Sequence, residues 1–474
     1  MTELWKLSAN EIVAGYRRGD FKPSEVMEAV TDRIEAVNPG LNAVTVDLSE
    51  QAMADARSLD ASYRPSAPVD TESLGLLHGV PVTIKENVDM AGYATPNGVA
   101  AFENVMATED APLVASLRDA GAIVVGRTNT PEFSMRATTV NPLRGRTFNP
   151  WDETASAGGS SGGAGSACAA GMGPLHHGND IGGSLRFPSF ANGVTTVKPT
   201  SYRVPVFNSS ATAERGPLSA TMSVQGIIGR EAADVALATR VMIRADHRDP
   251  NHAPVPFDGP ALPRPLTVAV ARNTGGYEAH PEILALVERA ADQLRDAGYQ
   301  VVEVEPPPVQ EAAAEWFRAG STEMKVMLDP AIRQYGSPEI NAVFDWYYEM
   351  SEILDRDGYV SALAERTRIQ RDWNRFLAEH PLVLTPFLMR PTYDWDYDAQ
   401  GPEQVRDLFD AAIYSTGINF LGLPAGVIGM DLVAGRPAAV QIVGQRYRED
   451  LICEALSAIE GRNGILVHQL WAGE

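Results

Sequence analysis

Residues 156–172, SAGGSSGGAGSACAAGM, consist almost entirely of glycine, serine and alanine. Such a tract is either a flexible linker or a loop where backbones approach closely. Here it runs straight into Ala167–Ala170, which are good helix formers. It also lies between apolar segments on both sides. These neighbours favour a loop that opens a helix over a linker.

The flanking segments indicate what surrounds it. GVPVTIK (79–85) and AIVVGRTN (122–129) are short apolar runs that predict buried strands. Residues 109–120 between them predict a helix ended by Gly121. Strand, helix, strand in that order points to a mixed α/β body. Upstream, residues 1–60 predict helices. Ser8 with Glu11 forms a capping box, and Ser24 is set to cap a second helix that stops at Asn38-Pro39-Gly40. Downstream, the proline-rich stretch 245–265 predicts a surface connection or boundary. A strand (266–273), a helix (280–300) and a strand (301–305) follow, then a mostly helical, aromatic-rich region over 311–380. The chain closes with a strand pair (425–432 and 438–444) and a helix (449–461).

Composition narrows the class. Of 474 residues, 44% are hydrophobic and 21% charged, which suits a globular protein with a large core. The formal charge of −22 argues against a non-specific nucleic-acid binder, which needs a basic face. Cys168 and Cys453 are too few for a disulfide framework and suit two buried thiols in a reducing compartment. No stretch approaches the roughly 20 apolar residues of a membrane span, and the N-terminus lacks the apolar core of a leader. A cytoplasmic protein without membrane attachment is the expectation.

Several chemistries are absent from the motifs. His176 and His177 are adjacent and so project from opposite faces, and the eight histidines lack ligand spacing, so no metal site is assigned. Neither a phosphate-binding loop nor a dinucleotide fingerprint occurs. Three features remain. Lys85 ends an apolar strand. GGSSGG (158–163) matches the nucleophile elbow on Ser160 and on Ser161, but the polar, turn-like residues before it do not fit that strand-turn-helix context. GNDIGGS (178–184) places Gly182 and Gly183 before Ser184, which is either a plain turn or a place where successive amides converge on an anion or oxyanion.

Taken together, GVPVTIKEN (79–87), VGRTNTPEF (125–133), FNPWDETASAGGSSGGAG (148–165), GNDIGGSLRFPS (178–189) and VKPT (197–200) resemble the amidase signature family, block by block and in order. Weaker similarity continues through 222–238, where Gly226-Ile227 departs from the family's Gly-Pro, and through 419–426 and 435–444. The resemblance implies a Ser-cisSer-Lys mechanism. Lys85 is the base, Ser160 the relay held by a cis peptide, and Ser184 the nucleophile. The oxyanion hole maps onto the amides of Ile181, Gly182, Gly183 and Ser184. Ser161, Asp180 and Arg186 are supporting residues, with Asp180 and Arg186 fixing the loop.

The resemblance also implies a single domain over 1–474, an α/β fold with a mixed sheet of about eleven strands covered by helices. Within it fall N-terminal helices (1–76), a signature core (77–205), a variable substrate-shaping region (245–400) and a C-terminal strand pair and helix (414–461). The implied activity is hydrolysis of the C–N bond of a small amide through an acyl-enzyme, with no cofactor. Aryl amides or carbamates (urethanes) are favoured because Trp346, Tyr347, Tyr348, Trp373, Trp395 and Tyr397 are available to line an apolar pocket. Met135 and Ile181 are further lining candidates. The partner is then a small molecule, with no nucleic acid contacted directly and a monomer or homodimer in solution. The alternative is a glutamyl-tRNA amidotransferase A-type subunit acting in a complex. Elementary chemistry sets one demand on this scheme. A lysine must be neutral to act as base, so its pKa of about 10.4 must fall by about three units, about 4 kcal/mol.

Overall fold

The computed structural model describes residues 3–62 and 74–472. The expected N-terminal region 1–76 therefore includes a stretch, 63–73, outside the described residues. The strands are β1 (Val44–Asp47), β2 (Pro81–Lys85), β3 (Ile123–Thr128), β4 (Val140–Asn141), β5 (Gly145–Arg146), β6 (Leu175–Asp180), β7 (Thr195–Lys198), β8 (Val224–Gly229), β9 (Thr267–Val270), β10 (Gln300–Val302), β11 (Leu382–Pro386), β12 (Ala425–Val433) and β13 (Arg436–Gly444). Eleven of them form one sheet in the order β1-β3-β2-β6-β8-β7-β12-β13-β11-β9-β10, and β4 and β5 pair separately. The sheet is mixed. β2 is parallel to β3 and β6, whereas β6, β8, β7, β12 and β13 alternate in direction.

The apolar runs become central strands because helices cover both sheet faces. Every residue of β2, β3 and β6 is buried, as expected for strands without a solvent face. Pro112–Asp119 is the crossover helix from β2 to β3, and Gly121 follows it with φ 89°. One core packs helices Pro281–Asp296 and Glu449–Asn463 against β11, β12 and β13. Another packs Ala9–Arg18, Pro112–Asp119 and Ala232–Met242 against β2. The 245–265 stretch is a connection without strand or helix, and it leads into β9 of the same sheet. Ala434 and Gly435, both at positive φ, turn β12 into β13, as a two-residue hairpin requires.

Two local expectations are corrected at the N-terminus. The second helix spans Pro23–Leu41, so Ser24 lies inside the first turn and Lys22 is the flanking residue. Pro23 takes the first helical position, where its missing N–H costs nothing. The Ser24 hydroxyl instead donates to Asp60. At the other end the helix passes through Asn38 and Pro39 and stops at Asn42, whose φ is 50°. The Asn38 amide bonds Ala43 and Val44, tying the last turn to β1. The capping box of Ser8 and Glu11 forms as expected. Cys168 and Cys453 are both buried free thiols. Among the described residues, no helix is long and apolar enough to cross a membrane.

Candidate active site

The end of β2 delivers Lys85 into the protein interior, where it is 0% exposed. Its Nζ lies 2.8 Å from Ser160 Oγ, 3.1 Å from Ser161 Oγ and 2.8 Å from Asn179 Oδ1. Burial holds the amine well below its usual pKa. Asp180 opposes that shift, and the positive charge of Arg215 adds to it. This is the environment a lysine base needs.

Ser160 reaches this position because the glycine-serine tract passes through spaces too narrow for side chains. A Cβ at Gly163 would stand 2.5 Å from the Asn129 amide nitrogen and 2.7 Å from the Ala43 carbonyl oxygen. The tract is thus the loop inferred from sequence, and it continues as the wholly buried helix Gly162–Ala169. The Gly159–Ser160 peptide is cis.

β6 supplies the other half of the site. Asn179 and Asp180 end the strand, and the chain turns through Ile181, Gly182 and Gly183 to Ser184. The Asp180 carboxylate accepts the amides of Gly183 (2.8 Å) and Leu185 (3.1 Å) and pairs with the Arg186 guanidinium at 3.0 Å. Both side chains are fully buried. Burial pushes Asp180 up, but the Arg186 charge and hydrogen bonds outweigh it and bring the carboxyl down to about 2. Gly183 has φ 121°, and a Cβ there would strike Ser415 Oγ. The Ser184 carbonyl accepts the Ser161 amide at 3.2 Å, which ties the two loops together beside Lys85.

The four oxyanion candidates separate. The Gly183 N–H is committed to Asp180, because the turn folds back onto the carboxylate that begins it. The amides of Ile181, Gly182 and Ser184 have no acceptor among the described residues. Trp316 Nε1 holds the Ile181 carbonyl at 2.9 Å and Ser415 Oγ holds that of Gly182 at 2.9 Å. In a trans peptide the next N–H points the opposite way. Gly182 N–H is therefore turned away from Trp316, and Gly183 N–H towards Asp180. Because Asp180 and Arg186 are paired without solvent, Asp180→Ala is expected to remove about 3–5 kcal/mol of stability, measured by urea unfolding at neutral pH. Below the unfolded-state pKa that contribution fades, being lost as pH drops from about 4 towards about 2.

A narrow cleft, partly open to solvent, is lined by Ser184. Met135, Phe187, Trp316, Tyr347 and Phe409 give its lining an apolar and aromatic character, beside Gly159, Ile181, Gly182 and the polar Ser134 and Arg136. Trp316 and Phe409 are stacked, with centroids 6.1 Å apart. Of the aromatic residues proposed from sequence, only Tyr347 lines this cavity, with Met135 and Ile181 as anticipated. Trp373 lies in the core at 0% exposure. Trp395 is 39% exposed and covered by Arg146. Trp346 and Tyr348 flank Tyr347 on its helix and pack into the cluster behind it, and Tyr397 bonds Asp407. Phe187, Trp316 and Phe409 were missed. Phe187 is legible as the third residue after Ser184. Trp316 and Phe409 sit on amphipathic helices whose sequence does not reveal which neighbour they meet.

His176 and His177 are satisfied core residues. Thr83 and the Gly173 carbonyl hold the first, Gln225 holds the second, and burial takes both down to about 3. Neither touches Ser184.

Comparison with known proteins identifies the family. The family model described as Amidase matches residues 25–453. An indoleacetamide hydrolase of Bradyrhizobium diazoefficiens is 45% identical over 99% of this chain and 88% of its own. An acylamidase of Rhodococcus erythropolis is 32% identical over 97% of this chain and 96% of its own. Among solved structures, a bacterial aryl acylamidase of the amidase signature family superposes with TM-score 0.82 at 26% identity, covering 99% of this chain and 98% of that one. With a family-model match across nearly its whole length and relatives of 45% and 32% identity that cover almost all of it, the chain belongs to the amidase signature family and is an amide hydrolase.

Proposed function

We propose that this protein hydrolyses the amide of a small aryl-bearing acid, of the indoleacetamide type, through a Ser184 acyl-enzyme with Ser160 and Lys85 as the proton relay. Neutral Lys85 accepts the Ser160 hydroxyl proton while Ser160 accepts that of Ser184, whose Oγ adds to the substrate carbonyl. The amides of Ile181, Gly182 and Ser184 receive the developing oxyanion. The protons then travel back to the departing nitrogen, so that ammonia leaves from a primary amide. Water adds to the acyl-serine by the same relay and releases the acid. Every proton transfer is made by a side chain of this protein, so the scheme as written needs no cofactor.

One observation carries the reading. A fully buried lysine lies 2.8 Å from Ser160, beside an aromatic cavity with Ser184 in its wall. Phe187, Trp316, Tyr347 and Phe409 offer edges and faces to a flat ring, and the relatives named for indoleacetamide and acyl amides fit that wall. Carbamates present the same carbonyl and belong in the same test. A panel of indoleacetamide, an anilide, acetamide and an aryl carbamate, assayed by amine or ammonia release, decides the substrate. The aryl amide should exceed acetamide in kcat/KM by about 10-fold or more, equivalent to about 1.4 kcal/mol of ring contact. Equal rates for acetamide would refute the aryl assignment. The panel also separates the amidotransferase alternative, which predicts that the isolated chain is idle on all four.

A further inference from the structure

We infer that Asn179 is a positioning residue that fixes which way the Lys85 amine faces, and that Asn87, Ser134 and Asn97 hold it in that orientation. This inference rests on the relay proposed above. It begins from the three contacts of Lys85 Nζ, which must leave the amine lone pair directed at Ser160.

Hydrogen bonds of one polarity run outward from the lysine. Lys85 Nζ donates to Asn179 Oδ1 (2.8 Å), Asn179 Nδ2 to Asn87 Oδ1 (2.8 Å), Asn87 Nδ2 to Ser134 Oγ (2.8 Å), and Ser134 Oγ to Asn97 Oδ1 (2.6 Å). Each amide is held from outside, so Asn179 presents an oxygen to the lysine. An amide oxygen only accepts, so it takes an N–H and never the lone pair. The main chain of Asn179 acts on the second contact. Its carbonyl accepts the Ser161 hydroxyl at 3.4 Å, and its N–H lies 3.3 Å from the same oxygen. Ser161 thereby turns its acceptor side to Lys85. Two N–H groups of a neutral amine are then occupied by Asn179 and Ser161, and the lone pair is left for the Ser160 hydroxyl. Reversed amides would offer Lys85 a donor and occupy the lone pair.

The outer end of the chain is anchored in the cavity wall. Phe133 and Ser134 are consecutive residues in the left-handed region, with φ 54° and 57°. This backbone places Ser134 both against Asn87 and Asn97 and on the cavity lining. The charged and titratable groups around Lys85 are Asp180 and His177 from β6, Arg215 from the segment before helix Pro217–Met222, Arg127 from β3 and its neighbour Glu86. His177 is neutral, Arg127 donates to main-chain carbonyls and Glu86 pairs with Arg144.

The test is the pH profile of the purified full chain with its best amide substrate. It compares Asn179→Leu, Asn179→Asp and Asn87→Leu with the parent and with Lys85→Ala. Asn179→Leu should lower kcat by about 100-fold with KM essentially unchanged, and Asn87→Leu should act in the same direction by less. Asn179→Asp keeps the shape but sets a carboxylate against the amine, so the acid limb should move up by about one to three pH units. A purely structural role would leave that limb where it is. An Asn179→Leu enzyme with parental kcat, or an Asn179→Asp enzyme with a parental acid limb, overturns the inference. If Asn179→Leu does not fold, the near-isosteric Asn179→Asp profile decides alone. An inactive Lys85→Ala beside normal Asn179 variants removes only this inference, whereas an active Lys85→Ala removes the relay itself.

Discussion

Lys85→Ala is expected to lower kcat by about 10³-fold or more and to abolish the acid limb of the pH–rate profile. The parent enzyme should lose activity as pH falls, because protonation of Lys85 leaves no acceptor for the Ser160 hydroxyl. The size of the effect follows from burial. Lys85 sits at the end of a strand with no exposed residue, and its three polar neighbours carry no charge. A water molecule replacing the amine is a far weaker base. The same burial has a thermodynamic consequence. The folded pKa is depressed, so over the range between it and about 10.4 the unfolded chain binds the lysine proton and the folded chain does not. Stability therefore rises with pH over that range, by about 1.4 kcal/mol per unit from this group alone. Urea unfolding of the parent and Lys85→Met at successive pH values measures it as a difference. A gap independent of pH would show that Lys85 is charged in the folded protein and is no base.

The sequence made the inner strands and their chemistry readable because both are encoded locally. PVTIK and IVVGRT each carry a run of apolar residues, so their burial shows in a short window, and Lys85 stands out as the only charge in its strand. The glycines of 158–163 and 182–183 are legible for a similar reason, since close approach excludes every other residue type. What stayed hidden depends on partners far away in the chain. Trp316 meets Ile181 across 135 residues, and Phe409 reaches the same wall from another helix. Helical periodicity says that a face is apolar, not what it will touch. For that reason Trp373 and Trp395 looked as suitable as Tyr347. Asn179 was overlooked because an asparagine in a strand has no pattern of its own, and its role emerges only once Lys85 and Asn87 converge on it. The commitment of Gly183 to Asp180 is likewise a matter of which way one peptide faces.

Ser184→Ala is expected to reduce turnover to the uncatalysed background and to abolish labelling by a fluorophosphonate, while circular dichroism and thermal melting stay parental. The proposed relay gives Ser160 and Ser184 different roles, and their surroundings differ accordingly. Ser160 is 1% exposed and in contact with Lys85, so its oxygen is closed off by the protein. Ser184 is half-buried and lines the cavity, where a carbonyl carbon has room to approach. The amides of Gly182 and Ile181 stand in the same turn. Removing the Ser160 hydroxyl interrupts proton transfer but leaves the attacking oxygen in place, so Ser160→Ala should retain slow labelling at Ser184. Removing Ser184 leaves no atom to acylate. Peptide mapping of the fluorophosphonate adduct distinguishes the two. A label found on Ser160 in the parent, or persisting in Ser184→Ala, would exchange the roles of the two hydroxyls and require the substrate to enter from the Lys85 side.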